Sequence, residues 1–408
     1  MVADKSLGDT ADEYLRKLCS EISNRCVGSP GNRLATDFFA AKIETFGFQT
    51  QTQPFDCIDW SHGEVNLTVA GEPFLAQASP YSLGCEVSAP LSVASTIDEL
   101  ENLEISQRVL LLQGEIAQEQ LMPKNFTFYN PEHHQQIIAL LERKNPLAII
   151  SATARNPELA GGIYPFPLIE DGDFDIPSVY TTDEIGEEMA RKSGQEVSLR
   201  FEATRTPSTG CNVIARKGED PSRRIVLFAH IDAKINTPGT LDNASGVVVL
   251  LLLAELLKNH STSFTVEIVA LNGEDYYSAP GEILYLHENP NQLQDVILGI
   301  NLDGAGYIDG KTAYSLYDCP PDIARMIHKT FGDGNWFLEG EQWYQSDHSL
   351  FLMNSRPALA ITSERFMHLS TYITHTEKDT PQLVDPTRLV EIALALRNLL
   401  FRLDGQKV

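Results

Sequence analysis

The chain has 408 residues, of which 42% are hydrophobic, and a formal net charge of -25 at pH 7. That length buries a large core and predicts two or three domains. So acidic a chain repels polyanions, which excludes electrostatic binding to nucleic acid or anionic membrane and favours cationic ligands such as ammonium groups.

Residues 8–48 read as two helices around a turn. Tyr14, Leu15, Leu18 and Ile22 recur at helical spacing, and the loop CVGSPGN follows. A second amphipathic helix carries Leu34, Phe38, Phe39, Ala41, Ile43 and Phe46 and ends before Gly47. QTQTQPFDCI, residues 49–58, is expected as an edge strand. Residues 59–200 change character. Short strands (EVNLTVA, RVLLLQGEI, PLAIISAT, IPSVYTT and EVSLRFEA) alternate with turns and two helices, His134–Lys144 and Asp183–Lys192. They carry no clustered titratable side chains, so this stretch is read as a domain inserted between residues 1–58 and 201–408. From 201 onward strand and helix alternate. Strands are predicted at Ile225–Ala229, Thr265–Leu271, Val296–Leu302, Ala313–Tyr317 and Ala358–Thr362. Helices are predicted at Val247–Lys258, Gly281–His287, Pro321–Phe331 and Pro386–Leu403. This alternation predicts an α/β fold, a mostly parallel mixed sheet sandwiched by helices.

The longest strongly apolar run, Val247–Ala254, is too short to span a bilayer. Six cysteines form no CxxC pair and fit reduced thiols better than a disulfide framework. With no apolar leader visible in MVADKSLGDTADEYL, the expectation is a cytoplasmic protein.

Chemistry concentrates at the ends of these buried strands. RIVLFAH ends on His230 with Asp232 two residues on, and a Pro/Gly loop then delivers Asp242. TVEIVALNGED ends in Glu274 and Asp275, VILGINLDGAG in Asp303, and the later loop TYITHTEKDT offers His375 and Asp379. Singly, each has an ordinary explanation: a strand-end polar residue, a helix cap at Asp242, a turn residue at Asp303. Together they place two imidazoles and at least four carboxylates along one edge of a parallel sheet, where α/β sheets build their sites. Like charges so close require cations. Nitrogen and oxygen donors without sulfur suit zinc, with cobalt or manganese as substitutes, and a shared carboxylate can bridge two ions about 3.5–4 Å apart.

The ordered set HID, LDNASG, NGED, NLDG, SDHSLF and THTEKDT resembles the M28 family of zinc aminopeptidases, with GSPGN matching the family's opening segment. Residues 59–200 look like the protease-associated (PA) domain that many members carry. The resemblance implies a zinc-peptidase fold of the phosphorylase/hydrolase-like kind and two zinc ions per chain. His230 and Asp303 would hold one ion and Asp275 and His375 the other, with Asp242 bridging. Glu274 would be the general base, taking a proton from the attacking water and passing it to the leaving amine. Asp232 would orient His230, and Ser346, Asp347 and His348 would support the site by hydrogen bonds. The Asp242–Asn243 peptide would be cis. Substrates would be peptides with a free N-terminus.

Two positions depart from the family. Asp275 stands where Glu is usual, and Thr374 stands where many members have a Tyr whose hydroxyl helps the tetrahedral intermediate; Tyr372 lies nearby in sequence. Two other readings are a metallo-carboxypeptidase, for which Arg356 and Arg365 would clamp a carboxylate, and a non-catalytic binding protein that keeps the fold. Glutaminyl cyclases of related fold lack a counterpart of His230. The inserted domain reads either as a lid over the site or as a packing module that would make a homodimer.

Overall fold

The computed structural model describes residues 2–22, 24–155, 162–290, 292–332 and 335–405. The chain divides into two units. The first comprises Met1–Cys57, Thr209–Leu369 and Ile373–Val408, and the second comprises Ile58–Ser208 with Ser370–Tyr372.

Among the described residues, the sheet of the first unit has eight strands. They are β1 (Gln49–His62), β2 (Ala203–Lys217), β3 (Arg224–His230), β4 (Thr265–Leu271), β5 (Val296–Leu302), β6 (Thr312–Tyr317), β7 (Phe337–Glu339) and β8 (Ala358–Ser363). Their order is β1-β2-β4-β3-β5-β8-β6-β7. β3 pairs parallel with β4 and β5, β5 with β8, and β6 with β7. The β2–β4 and β6–β8 pairs are antiparallel. Every position of β3, β4 and β8 is buried. These strands therefore read as continuous apolar runs rather than alternations, as expected where helices cover both faces.

Six helices matter here: α1 (Val2–Arg16), α2 (Pro30–Glu44), α3 (Ser245–Leu256), α4 (Pro280–Glu288), α5 (Pro321–Gly332) and α6 (Pro386–Leu403). Helix α3, SGVVVLLLLAEL, is buried from Ser245 through Ala254. It has no polar face because it packs against β3 on one side and α1, α2 and α6 on the others. Val247–Leu253 share one core with Leu15, Phe39, Ile43, Leu396 and Leu399. Each such side chain contributes roughly 1.5–3 kcal/mol by leaving water. A buried ion pair sits inside this sheet. Glu267 of β4 accepts from Arg216 Nε at 2.6 Å, Arg224 Nη1 at 2.9 Å and the Tyr285 hydroxyl at 2.7 Å.

In the second unit, Cys85–Ala94, Val109–Leu112, Ala148–Thr153 and Ser178–Thr182 pair parallel in that order, and Glu196–Phe201 joins the Cys85–Ala94 edge antiparallel. Leu110, Leu112, Ile149 and Phe166 form its core with Ile137 and Leu141 of the helix Glu132–Lys144.

The expected α/β architecture with a mostly parallel, mixed sheet is present. Two long strands were not predicted. Cys85–Ala94 is interrupted in sequence by Pro90. β2 runs through Pro207 and Gly210, residues that ordinarily break strands. No helix among the described residues is long and apolar enough to cross a membrane.

Candidate metal centre

The site begins with register. Phe228 of β3 pairs with Asn301 of β5, so two residues on, His230 and Asp303 leave the sheet side by side. On the other flank His230 pairs with Leu271 of β4, whose chain then turns through Asn272 and Gly273 into Glu274 and Asp275. Gly273 has φ +126°, a conformation that L side chains rarely adopt. The loop after β3 carries Asp242 immediately ahead of α3. The Asp242–Asn243 peptide is cis, as the resemblance implied. Asn243 Nδ2 donates to the Leu302 carbonyl at 2.7 Å and its Oδ1 accepts from Gly246 N at 3.1 Å, fastening this loop to the end of β5. A Cβ at Gly246 would lie 2.4 Å from Asn243 Oδ1 and 2.6 Å from the Leu302 oxygen, so only glycine lets α3 start there.

Asp242 divides its two oxygens. Oδ1 lies 3.0 Å from His230 Nε2, and Oδ2 lies 3.0 Å from His375 Nε2. His375, held at φ +60°, also places Nε2 3.1 Å from Asp275 Oδ1, and His230 Nε2 is 3.9 Å from Asp303 Oδ1. Two triads result, His230/Asp242/Asp303 and Asp242/Asp275/His375, each with its donor atoms within 4.8 Å of one another. Asp275 therefore reaches the second triad despite its short side chain. The buried atoms His230 Nε2, Asp275 Oδ1 and Asp275 Oδ2 have no hydrogen-bond partner among the described residues. Buried polar atoms of this kind are normally satisfied. A divalent cation in each triad would satisfy them, and the donor set of imidazole nitrogens and carboxylate oxygens suits zinc.

The electrostatics point the same way. Burial opposes protonation of His230, but Asp232 and Asp242 outweigh it and hold its pKa well above the usual value. His375 behaves likewise against Asp275 and Asp242. Burial works to raise the Asp242 carboxyl, yet the two imidazoles hold it well below the carboxylate range. Burial, then the charge of Asp242, pushes Asp303 up to about 6. Glu274, half-buried, is pushed well up, first by burial and then by Asp275, Asp347 and Asp303 against the lowering charge of His230. Two imidazoles do not balance these carboxylates, so the cluster favours cations.

Around the triads stand the groups that hold them. Asp232 lies 3.7 Å from His230 Nδ1, beyond hydrogen-bond distance. Its closer partners are the backbone of the neighbouring loop: Oδ1 accepts from Gly273 N at 2.8 Å and Oδ2 from Asp275 N at 3.0 Å. Asp379 accepts from Leu241 N at 2.8 Å and Asp242 N at 3.0 Å. Ser346 Oγ donates to Asp303 Oδ2 at 2.7 Å and accepts from Asn301 Nδ2 at 2.8 Å. His348 lies 2.7 Å from the Trp343 carbonyl through Nε2, and burial lowers its pKa to about 4, so it is a neutral donor there. Asp347 differs from its two neighbours: it is buried, and neither oxygen has a hydrogen-bond partner among the described residues. Burial, then the charge of Glu282, pushes Asp347 well up, and burial, then Asp232, pushes Glu282 up to about 8. Glu282 was not singled out from sequence, because an acid in the first turn of a helix is ordinary.

Other candidates lie elsewhere. Thr374 is buried and donates its backbone N–H to the Leu369 carbonyl, and Tyr372 packs its ring against the Arg155 guanidinium, 5.0 Å from the ring centroid. Arg356 donates to the Gln294 carbonyl and Arg365 pairs with Asp309. A third cluster, Glu119/His133/His134, lies in the second unit. His134 Nδ1 accepts from Met122 N at 3.1 Å, which leaves the proton on Nε2, 3.1 Å from Glu119. That tautomer offers no lone pair to a metal on the nitrogen that faces Glu119. A cavity of about 700 Å³ opens at the opposite strand ends, between the starts of β1, β3 and β4, lined by Gln49, Gln51, Arg216 and Arg224.

The profile of peptidase family M28 matches residues 212–400. Over 312 residues the chain is 25% identical to the probable lipoprotein aminopeptidase LpqL of Mycobacterium tuberculosis, covering 72% of this chain and 58% of that relative. Among solved structures, an aminopeptidase from Aneurinibacillus sp. strain AM-1 aligns with a TM-score of 0.75 at 19% identity, over 98% of this chain and 95% of that one. A zinc aminopeptidase from Bacillus subtilis aligns at 0.73 and 18% identity with the same coverage. At these identities the structures establish a common fold.

Proposed function

Residues 212–400 belong to peptidase family M28, and on that premise we propose that the chain is a di-zinc aminopeptidase that releases N-terminal residues from peptides. The observation that carries this reading is the division of Asp242 between His230 and His375 at 3.0 Å each. On this reading His230 and Asp303 would hold one ion and Asp275 and His375 the other, with Asp242 shared between them. Zinc, when bound, supplies Lewis acidity toward the scissile carbonyl and makes water acidic enough to react at neutral pH. Glu274, at the turn that also carries Asp275, takes the proton from the attacking water and returns it to the leaving amine nitrogen. The surplus of carboxylates favours a substrate that arrives with a free α-ammonium group. Residues 59–200 are read as a PA-like insertion.

The test uses aminoacyl-4-nitroanilides and their N-acetylated counterparts, with and without chelator. Turnover is expected only with the free amine and only with metal, and Glu274→Gln should lower kcat by roughly 10²–10⁴-fold. Full activity in Glu274→Gln would sink the mechanism. Release of C-terminal residues from N-acetylated peptides would instead establish a carboxypeptidase. Fewer than one tightly bound zinc per chain, with no turnover of any of these, would favour a non-catalytic binding protein.

A further inference from the structure

The GSPGN segment has no part in the chemistry above, yet its Asn32 and the preceding Arg25 reach two of the loops that carry metal-ligand candidates. The segment is itself tightly made. Ser29 Oγ caps α2 by accepting from Asn32 N at 3.0 Å, and a Cβ on Gly31 would lie 1.7 Å from the Asn24 oxygen. Arg25, just before it, is buried and spends its guanidinium on backbone carbonyls. Nε donates to Ile231 at 3.1 Å, Nη1 to Leu18 and Pro238 at 2.8 Å each, and Nη2 to Gly239 at 2.7 Å. It thereby fixes the loop that leads to Asp242.

Asn32 acts on the other loop. Its Nδ2 donates to Asn272 Oδ1 at 2.9 Å and to the Arg25 carbonyl at 3.0 Å, and its Oδ1 accepts from Asn272 Nδ2 at 2.9 Å. Asn272 in turn donates its backbone N–H to Asn212 Oδ1 at 3.1 Å, and Asn212 Nδ2 donates to the Gly281 carbonyl at 2.8 Å. Asn32, Asn212 and Asn272 are all fully buried. A reciprocal amide pair in such a setting has one register, because any slip leaves buried donors and acceptors unpaired. The residues after Asn272 are Gly273, Glu274 and Asp275.

We infer that Arg25 and Asn32 are positioning residues for the metal centre and that they act on different parts of it: Arg25 through Asp242 on both ions, Asn32 through Asn272 on the Asp275–His375 ion alone. The inference rests on the two-ion reading of the site and adds an asymmetry to it. Side chains that orient metal ligands from behind typically change metal affinity by about 10–100-fold when removed.

The test is zinc titration of the metal-free full-length protein against a competing chelator, alongside the metal-free thermal midpoint and the visible spectrum of the cobalt-loaded form. Asn32→Ala should weaken one of two binding steps by about 10–100-fold and leave the other unchanged, with the cobalt spectrum altered for that step only. Should Asn32→Ala fail to fold, the double variant Asn32→Leu with Asn272→Leu removes both halves of the amide pair, taking a donor from the Arg25 and Cys211 carbonyls as well, and should give the same one-step loss. Two wild-type steps that both variants leave in place, or weaken equally while only the thermal midpoint falls, overturn the inference and leave the site reading standing. A wild-type protein that takes up no zinc overturns that reading and this one with it.

Discussion

Glu267 gives the sharpest test of how the sheet carrying this site is held together. Its side chain is fully buried between Arg224, 4% exposed, and Arg216, 33% exposed. Glu267→Gln keeps the shape and an acceptor for Tyr285 but removes the charge. Arg216 can turn to water, so its ion pair is worth about 0–1 kcal/mol. Arg224 cannot; it keeps Asn289 Oδ1 at 3.4 Å and the charge of Asp295, and removing one partner of a buried ion pair costs about 3–5 kcal/mol. The variant should therefore lose about 3–5 kcal/mol in urea unfolding of the chelated protein. Replacing both partners, as Glu267→Met with Arg224→Met, should recover most of it. The pH dependence has a definite sign. Burial works to raise the Glu267 carboxyl, but Arg224 and Arg216 outweigh it and hold it below the usual range. A depressed acid contributes stability that is complete above the unfolded-state value, about 4.3, and is lost as pH falls through the folded one. The gap between wild type and Glu267→Gln should be flat above about pH 5.5 and close on further acidification. A gap below about 1 kcal/mol, or one that does not narrow in acid, would refute the reasoning.

Two further outcomes follow from the site. Ser346→Ala removes the hydrogen bond to Asp303, so chelator competition should show about 10–100-fold weaker zinc at the His230–Asp303 position, the step that Asn32→Ala leaves alone. Glu119→Gln with His133→Ala should leave zinc stoichiometry unchanged by mass spectrometry, because His134 keeps its proton on the nitrogen facing the cluster; loss of one zinc per chain would show that reading to be wrong.

Much of the sheet was legible because parallel strands announce themselves. The limits of Thr265–Leu271 and Val296–Leu302 coincide with their apolar runs, and the polar residues that end each run become the site. β2 was hidden by Pro207 and Gly210, and β7 is a three-residue edge. The ligand candidates were legible as residue types at strand ends. Their division into two triads came from the resemblance, since no spacing rule brings His375 back to Asp242. The asparagine supports were invisible for a plainer reason. Asn32 and Asn272 are 240 residues apart, and an asparagine beside a glycine ordinarily signals only a turn. Asp232 carries a second task that no sequence signal announces: 3.7 Å from His230 Nδ1, it also accepts from the backbone of the next loop at Gly273 and Asp275.

Helix α3 has a consequence for handling the protein. It begins three residues after Asp242, is wrapped in aliphatic side chains along its length, and is jammed against the end of β5 at Gly246. Ions that bind only the folded form stabilise it by about 4 kcal/mol at a thousandfold excess over their dissociation constant. Should Asp242 hold the ions as proposed, only two residues separate it from the helix, so that energy would reach the hydrophobic interior. Stripping the metal should soften the core, and trimming a leucine from the core should loosen the metal.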